Sequence, residues 1–286
     1  MGNQKIVVVT DSSACIPQKA LEGLNVAVIP LWLMWENDHF RDGVDIDPPA
    51  FYRRLRSSKT IPTSSQPTVE EIVTFFRDTV EQENADVLVN VIVSHRISNT
   101  FTNVQAAQEQ VPELNIRVVD SFSSSAGLAL IVLAAARAAA DGRTTDEIVA
   151  IAEDLRDRVH FLFAVDTLEY LHRGGRIGGA KRLLGTALNI KPLLHFSGGQ
   201  IEPLLQVRTK RKAIAKMLDV AEERLEGKEM AEAIIPDVDT PQEGDSLVER
   251  VRERFGIERV IRSAVSPVVG THVGPGGVGI AFYAKH

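Results

Sequence analysis

The sequence predicts a two-part α/β fold. A layered α/β domain with a parallel sheet spans residues 1–157, and an α+β domain with a mostly antiparallel sheet spans 158–286. Length is the first ground, since 286 residues at about 150 per domain give roughly two domains. The second is near-continuous apolar runs alternating with helix-like segments to about residue 140, as expected for parallel strands covered on both faces. The third is a change of spacing after about residue 158, where short strands follow one another through hairpin-like turns.

Each element follows from local chemistry. Ile6-Val7-Val8-Val9 is a strand ending at Thr10-Asp11-Ser12-Ser13, residues suited to a strand-end loop and a helix N-cap. Residues 26–33 form a second apolar run. Thr68 with Glu71 three residues on predicts a capping box, opening a helix that carries Ile72, Phe75, Phe76 and Val80 on one face. Residues 86–93 and 116–119 are strands, 125–140 a small-residue helix, and 145–155 a further helix. Short strands follow at 161–165, 193–196, 201–207, 231–235, 259–263 and 279–283. Ser197-Gly198-Gly199-Gln200 predicts a hairpin turn. Helices at 210–225 and 242–255 interrupt the series.

Composition narrows the function. Hydrophobic residues at 44% and charged residues at 24% are ordinary globular usage and exclude a disordered or low-complexity class. A net charge of −6 with 6% aromatics argues against a nucleic-acid surface or an anionic membrane as partner. Cys15 is the single cysteine, which excludes an internal disulfide and a thiol-rich metal site. The start Met1-Gly2-Asn3-Gln4-Lys5 lacks the apolar core of a secretory signal, and the Ala-rich stretch 126–140 is broken by Arg137. A cytoplasmic protein with no stable membrane insertion is the expectation.

In layered α/β sheets ligands bind beyond the carboxyl ends of the strands. Hydroxyl-rich runs stand at three such ends, 10–13, 94–100 and 120–125, and a fourth lies at 62–67. Singly, such hydroxyls ordinarily cap helices and close turns; four aimed at one edge suggest a carboxylate or phosphate receptor. The nucleophile elbow, the phosphate loop and the paired-His zinc helix are missing, and the seven histidines lack metal-ligand spacing. Asp45 and Asp47 before Pro48-Pro49 suggest a turn rather than a cation site. A triad of Asp11, Ser98 and His272 can be imagined, but chain order cannot test it. Two glycine-rich segments remain. In 173–179, arginines flank the first glycine pair and can fork onto an anion; in 270–277, His272 sits among glycines where backbone can approach a ligand.

These residues carry a resemblance. Thr10-Asp11-Ser12-Ser13, Ser64-Ser65-Gln66-Pro67, Ser98-Asn99-Thr100, Val119-Asp120-Ser121, Thr167-Leu168-Glu169-Tyr170-Leu171, Arg173-Gly174-Gly175-Arg176, Asn189-Ile190-Lys191-Pro192 and His272-Val273-Gly274-Pro275-Gly276 resemble, in order, motifs of the DegV family. Asn99, Cys15 and Ser64 stand where the family more often has glycine, aspartate and threonine. The resemblance implies one long-chain, palmitate-like fatty acid held between the two domains. It implies no cofactor and no metal. In the bacterial fatty acid kinase system such a protein presents the carboxylate to a separate ATP-dependent kinase subunit, which forms an acyl phosphate. Carried over, the carboxylate falls to Ser64 with Thr63 beside it, to Ser98 and to His272, with Arg176 at the head group or partner contact. The alternative is an acyl-ester or phospho-small-molecule hydrolase or transferase using Ser98 and His272. A scaffold with a vestigial pocket is a third reading.

Overall fold

The computed structural model describes residues 4–185 and 190–286. Met1-Gly2-Asn3 and the Asn189 of the Asn-Ile-Lys-Pro motif lie outside the described residues.

The chain opens with strand β1 (Ile6–Asp11), whose six residues are all buried, as a strand covered on both faces requires. The expected apolar run 26–33 divides at Pro30 into β2 (Val26–Ile29) and β3 (Trp32–Trp35), which enter different sheets. Proline supplies no N–H to a ladder, so the run cannot continue as one central strand. Next come β4 (Asp38–Arg41), helix α1 (Pro48–Ser57) capped by Asp47, and the short β5 (Thr63–Ser65). Helix α2 (Val69–Glu83) carries the expected capping box of Thr68 and Glu71 and buries Ile72 and Phe76. Strands β6 (Val87–Ile92) and β7 (Ile116–Asp120) flank α3 (Thr100–Gln110). Strands β2-β1-β6-β7 form one parallel sheet. Strands β4-β3-β5 form a separate antiparallel sheet, which the pattern of the sequence did not announce.

Helix α4 (Ser125–Ala140) is buried on two faces. Leu128, Ile131, Val132 and Ala135 pack into the core of the parallel sheet, while Ala126, Ala129, Leu130 and Leu133 pack into a second core. Its lone charge, Arg137, makes a bidentate pair with Glu232 (2.6 and 2.8 Å).

After α5 (Thr145–Arg158) the second sheet begins. It is built from β8 (His160–Ala164), β9 (Lys191–Ser197), β10 (Gln200–Val207), β11 (Met230–Asp237), β12 (Val260–Ala264) and β13 (Val278–Ala284), in the order β10-β9-β8-β13-β11-β12. Its pairings are antiparallel except for β11 with β12. The connections contain α6 (Glu169–Arg173), α7 (Lys210–Leu225), α8 (Pro241–Phe255) and α9 (Pro267–Val273). Pleating sorts β8 cleanly: Leu162 joins the core beneath α7 and α8, while Phe161 and Phe163 face α4. Among the described residues no helix is long and apolar enough to cross a membrane.

Candidate functional site

Three strand-end loops are tied together by buried polar groups. Asp11 accepts from the backbone N–H of Ser13 (3.0 Å) and of Val93 (2.8 Å), locking the end of β1 to the end of β6. Burial raises its carboxyl above the ordinary range despite those bonds. Asp120 accepts from the N–H of Phe122 (2.9 Å) and pairs with His95 Nδ1 at 2.5 Å. Ser94 donates to the carbonyl of Gly199 (2.7 Å), which fastens the β9–β10 hairpin to the parallel sheet.

These loops rim a cavity of about 890 Å³, counting its open mouth. All four hydroxyl-rich clusters contribute, through Ser13, Ser64 and Ser65, Ser98, and Ser124 and Ser125. Apart from Gln66, Arg176 and His272, the rest of the wall is apolar. Phe161, Phe163, Ile201, Val238, Val265 and Val268 line it from the second sheet and its connections. Phe196 stacks on Phe161 with ring centroids 5.6 Å apart and planes 8° from parallel.

One connected group of polar residues lies on this wall. Ser64 Oγ and His272 Nε2 are 2.6 Å apart, although Ser64 sits on β5 and His272 on α9. The Nδ1 side of the imidazole lies against Gly174, where an added Cβ would lie 2.2 Å from Nδ1. The carbonyl of Gly174 accepts from Arg176 Nη1 (2.7 Å), and Arg176 Nε donates to the carbonyl of Ile97 (3.1 Å), one residue before Ser98. Ser98 Oγ pairs with Thr100 Oγ1 (2.8 Å) and lines the same cavity. Ser64, His272, Arg176 and Ser98 are therefore brought together. Thr63 is not: it is exposed and does not line the cavity. Thr63 opens β5 on the face opposite Ser64 and at the strand's exposed end, whereas Ser65, nearer the body of the protein, still reaches the cavity.

Helix α9 holds its histidine because it is clamped on several sides. Tyr52 donates to the carbonyl of Val265 (3.0 Å), and its ring fills the space a side chain at Gly270 would need. Tyr170 presses on Gly274, whose φ of +73° also favours glycine. Buried Asp42 accepts from the N–H of Val268 (3.4 Å). Cys15 Sγ accepts from the N–H of Ser266 (3.3 Å), and burial pushes its thiol up to about 11, so it is no ready nucleophile.

The electrostatics favour a receptor for an anion. Burial, then the nearby Arg176 charge, lowers the His272 imidazole to about 4. Its Nδ1 is buried without a hydrogen-bond partner among the described residues. Burial also lowers the Arg176 guanidinium, and no carboxylate pairs with it among the described residues. Among the described residues no group of acids, histidines and cysteine could hold a metal ion. Asp45 pairs with Arg41 and Asp47 caps α1, the turn roles expected of them.

The family match is complete in length. Residues 5–285 match the family described as "Uncharacterised protein, DegV family". The chain belongs to the DegV family. A DegV domain-containing protein of Listeria innocua is 31% identical over 283 residues, covering 99% of this chain and all of the relative. The structure of a fatty-acid-binding DegV family protein from Thermus thermophilus superposes with a TM-score of 0.88 at 30% identity, covering 98% of this chain and 100% of that one. DegV of Bacillus subtilis, described as a fatty acid binding protein, superposes with a TM-score of 0.89 at 29% identity, over 99% and 100% of the two chains. The DegV fold, a parallel sheet followed by a mostly antiparallel one, is thus shared along the whole chain.

Residues that sequence reasoning left unassigned form most of the cavity. Phe161 and Phe163 lie two apart on one face of a strand, a pattern identical to that of ordinary core. Ser13, Ser124 and Ser125 stood in the hydroxyl clusters, but nothing in the pattern distinguished them from capping residues.

Proposed function

We propose that this DegV protein binds one long-chain, palmitate-like fatty acid between its units 1–157 and 158–286, with the carboxylate at Ser64, Ser98 and His272. The observation that carries the reading is the connected group running from Ser64 through His272, Gly174 and Arg176 to Ile97-Ser98 on an otherwise apolar wall. A desolvated carboxylate needs donors; two hydroxyls and an imidazole supply them, and Arg176, paired with no carboxylate among the described residues, supplies a charge nearby. The tail gains roughly 0.8 kcal/mol per methylene buried and so dominates affinity. The DegV relatives of Thermus thermophilus and Bacillus subtilis are described as fatty-acid-binding, which supports the assignment.

The same reading extends to presentation of the carboxylate to an ATP-dependent fatty acid kinase subunit, which forms the acyl phosphate. Ser64 and Ser98 are only half-buried, whereas Phe161, Phe163 and Val265 behind them are buried. The head group would face outward and the tail inward. A hydrolase using Ser98 and His272 finds less support. His272 bonds Ser64, its Nδ1 has no orienting carboxylate among the described residues, and a base held near 4 is weak at neutral pH.

Native mass spectrometry of gently purified protein tests the binding: one fatty acid per chain is expected. Loss of acyl-ester substrate without a partner would overturn the carrier reading in favour of the hydrolase. Adding a fatty acid kinase subunit and ATP tests the presentation. Arg176→Ala then separates roles: retained lipid with lost acyl-phosphate formation places the guanidinium at the partner, and lost lipid places it at the head group.

A further inference from the structure

A second cleft shares the ring of Phe196 with the apolar cavity. It encloses about 900 Å³ counting its mouth, and is walled by the loop after β7, the end of α5, the starts of β8 and the β9–β10 turn, and the end of α7. Four basic or imidazole side chains line it: Arg156, His160, His195 and Arg224. Asp157 is the only acid in its lining among the described residues, and it is taken up by Arg156 (Nε to Oδ1, 3.0 Å).

Arg224 has no such partner. It is half-buried, its Nη2 donates to His195 Nδ1 at 3.0 Å, and no carboxylate pairs with it among the described residues. Glu202 stands opposite His195 across the β9–β10 ladder but is engaged by Arg182 (3.5 Å) and Gln200 (3.1 Å). Asp120, the other nearby acid, is engaged by His95. A half-buried guanidinium whose neighbour is a neutral imidazole leaves its charge uncompensated, which is costly in a folded protein. The same guanidinium in a concave cleft is a fork ready for an oxyanion.

We propose that this cleft is a binding site for a small tetrahedral oxyanion, a phosphate or sulfate group either free or carried on a small metabolite, with Arg224 as its principal ligand. Binding is coupled to protons. In the anion-free protein burial, and then Arg224, hold both imidazoles down, His160 at about 4 and His195 below its ordinary value. A bound anion reverses that field, so His195 protonates, gives up its acceptor lone pair at Nδ1, and frees the Arg224 Nη2 donor for the anion. The groups facing this pair are Arg224 from α7, Arg156 and Asp157 from α5, Glu202 from β10 and Asp120 at the end of β7. Of these, only Arg224 lowers both histidines.

The test uses the full chain with inorganic sulfate, which does not itself titrate near neutrality. Calorimetry should show one saturable site whose affinity rises about tenfold per pH unit lowered for each proton taken up, between the liganded and the free imidazole pKa. Histidine C2-proton titrations should show His160 and His195 moving to higher pKa with sulfate present. Arg224→Gln should abolish saturable binding and raise the His195 pKa without any anion, while Arg224→Lys keeps weakened binding. Fatty acid retained in both variants confirms that they fold. Inorganic phosphate and glycerol phosphate as competitors separate the sources: tighter competition by the ester assigns a carried group, and equal competition a free ion. Absence of saturable sulfate binding, or Arg224→Gln binding sulfate as the parent does, overturns the proposal.

Discussion

Gly174→Ala should disable the head-group site by a single methyl. Gly174 has φ −74°, so alanine fits its backbone without strain. The obstacle is the ring of His272: an added Cβ would lie 2.2 Å from Nδ1 and 3.0 Å from Cε1. Ordinary carbon contact begins near 3.5 Å, so the imidazole must retreat by about 1 Å or more. It cannot do so and keep Ser64 at 2.6 Å. Overpacking of this kind costs about 1–3 kcal/mol, and the lost hydrogen bond adds about 0.5–1.5 kcal/mol. The neighbouring Gly175 is the control. It has φ +71° and nothing within 4 Å of its virtual Cβ, so Gly175→Ala costs roughly 1–2 kcal/mol of backbone strain and leaves the ring in place. Both variants should melt a few degrees lower, but Gly174→Ala alone should lose affinity for added fatty acid by fluorescence displacement. Equal affinities for the two variants would refute the argument that Gly174 exists to seat His272.

Three further perturbations follow from the same geometry. Ser98→Ala should weaken fatty-acid binding by about 0.5–1.5 kcal/mol, or about 3 kcal/mol if the bound carboxylate is ionised, read by equilibrium displacement of a labelled acid. Arg137→Ala leaves Glu232, 1% exposed, as an unpaired buried charge and should cost about 3–5 kcal/mol in urea unfolding, whereas a joint Arg137→Met and Glu232→Leu exchange should recover much of it. Stability should also depend on pH in two opposing ways. His272 and His160 are lowered to about 4 from 6.5, so the unfolded chain binds more protons in that window, and stability complete above 6.5 is lost as pH falls through it. Burial raises Asp42 to about 6 from 3.8, so its contribution is complete below 3.8 and lost as pH rises through 6. Asp42→Asn should therefore stabilise by up to about 3 kcal/mol above pH 6, with the gain gone near pH 4; thermal melts across that range check both signs.

The parts of this protein that were legible in the sequence are those governed by local rules. The Thr68–Glu71 capping box and the buried run of β1 are set by nearest neighbours, and both stand as expected. The division of run 26–33 was legible in principle at Pro30, whose missing N–H ends a ladder. The choice between Thr63 and Ser64 was not. Strand β5 is three hydroxyl residues long, so no alternation of apolar and polar residues marks its inward face, and only its register on β3 decides. The meeting of Ser64 with His272 was accessible only through family resemblance, because 208 positions separate them and no periodicity reaches that far. Arg137 looked like an interruption of an apolar helix; its partner Glu232 lies on a strand of the other sheet, where no local reading could place it.

The two buried faces of α4 bear on how the polypeptide is made. Its second face is covered by strands beginning at Phe161 and ending at Ala281. From the end of α4 at Ala140, a ribosome adding about 5–20 residues per second therefore needs roughly 7–28 s to complete that cover. Until then the nascent chain carries Leu130 and Leu133 only partly covered. The order of synthesis thus leaves one face of the first half uncovered until the second half is made.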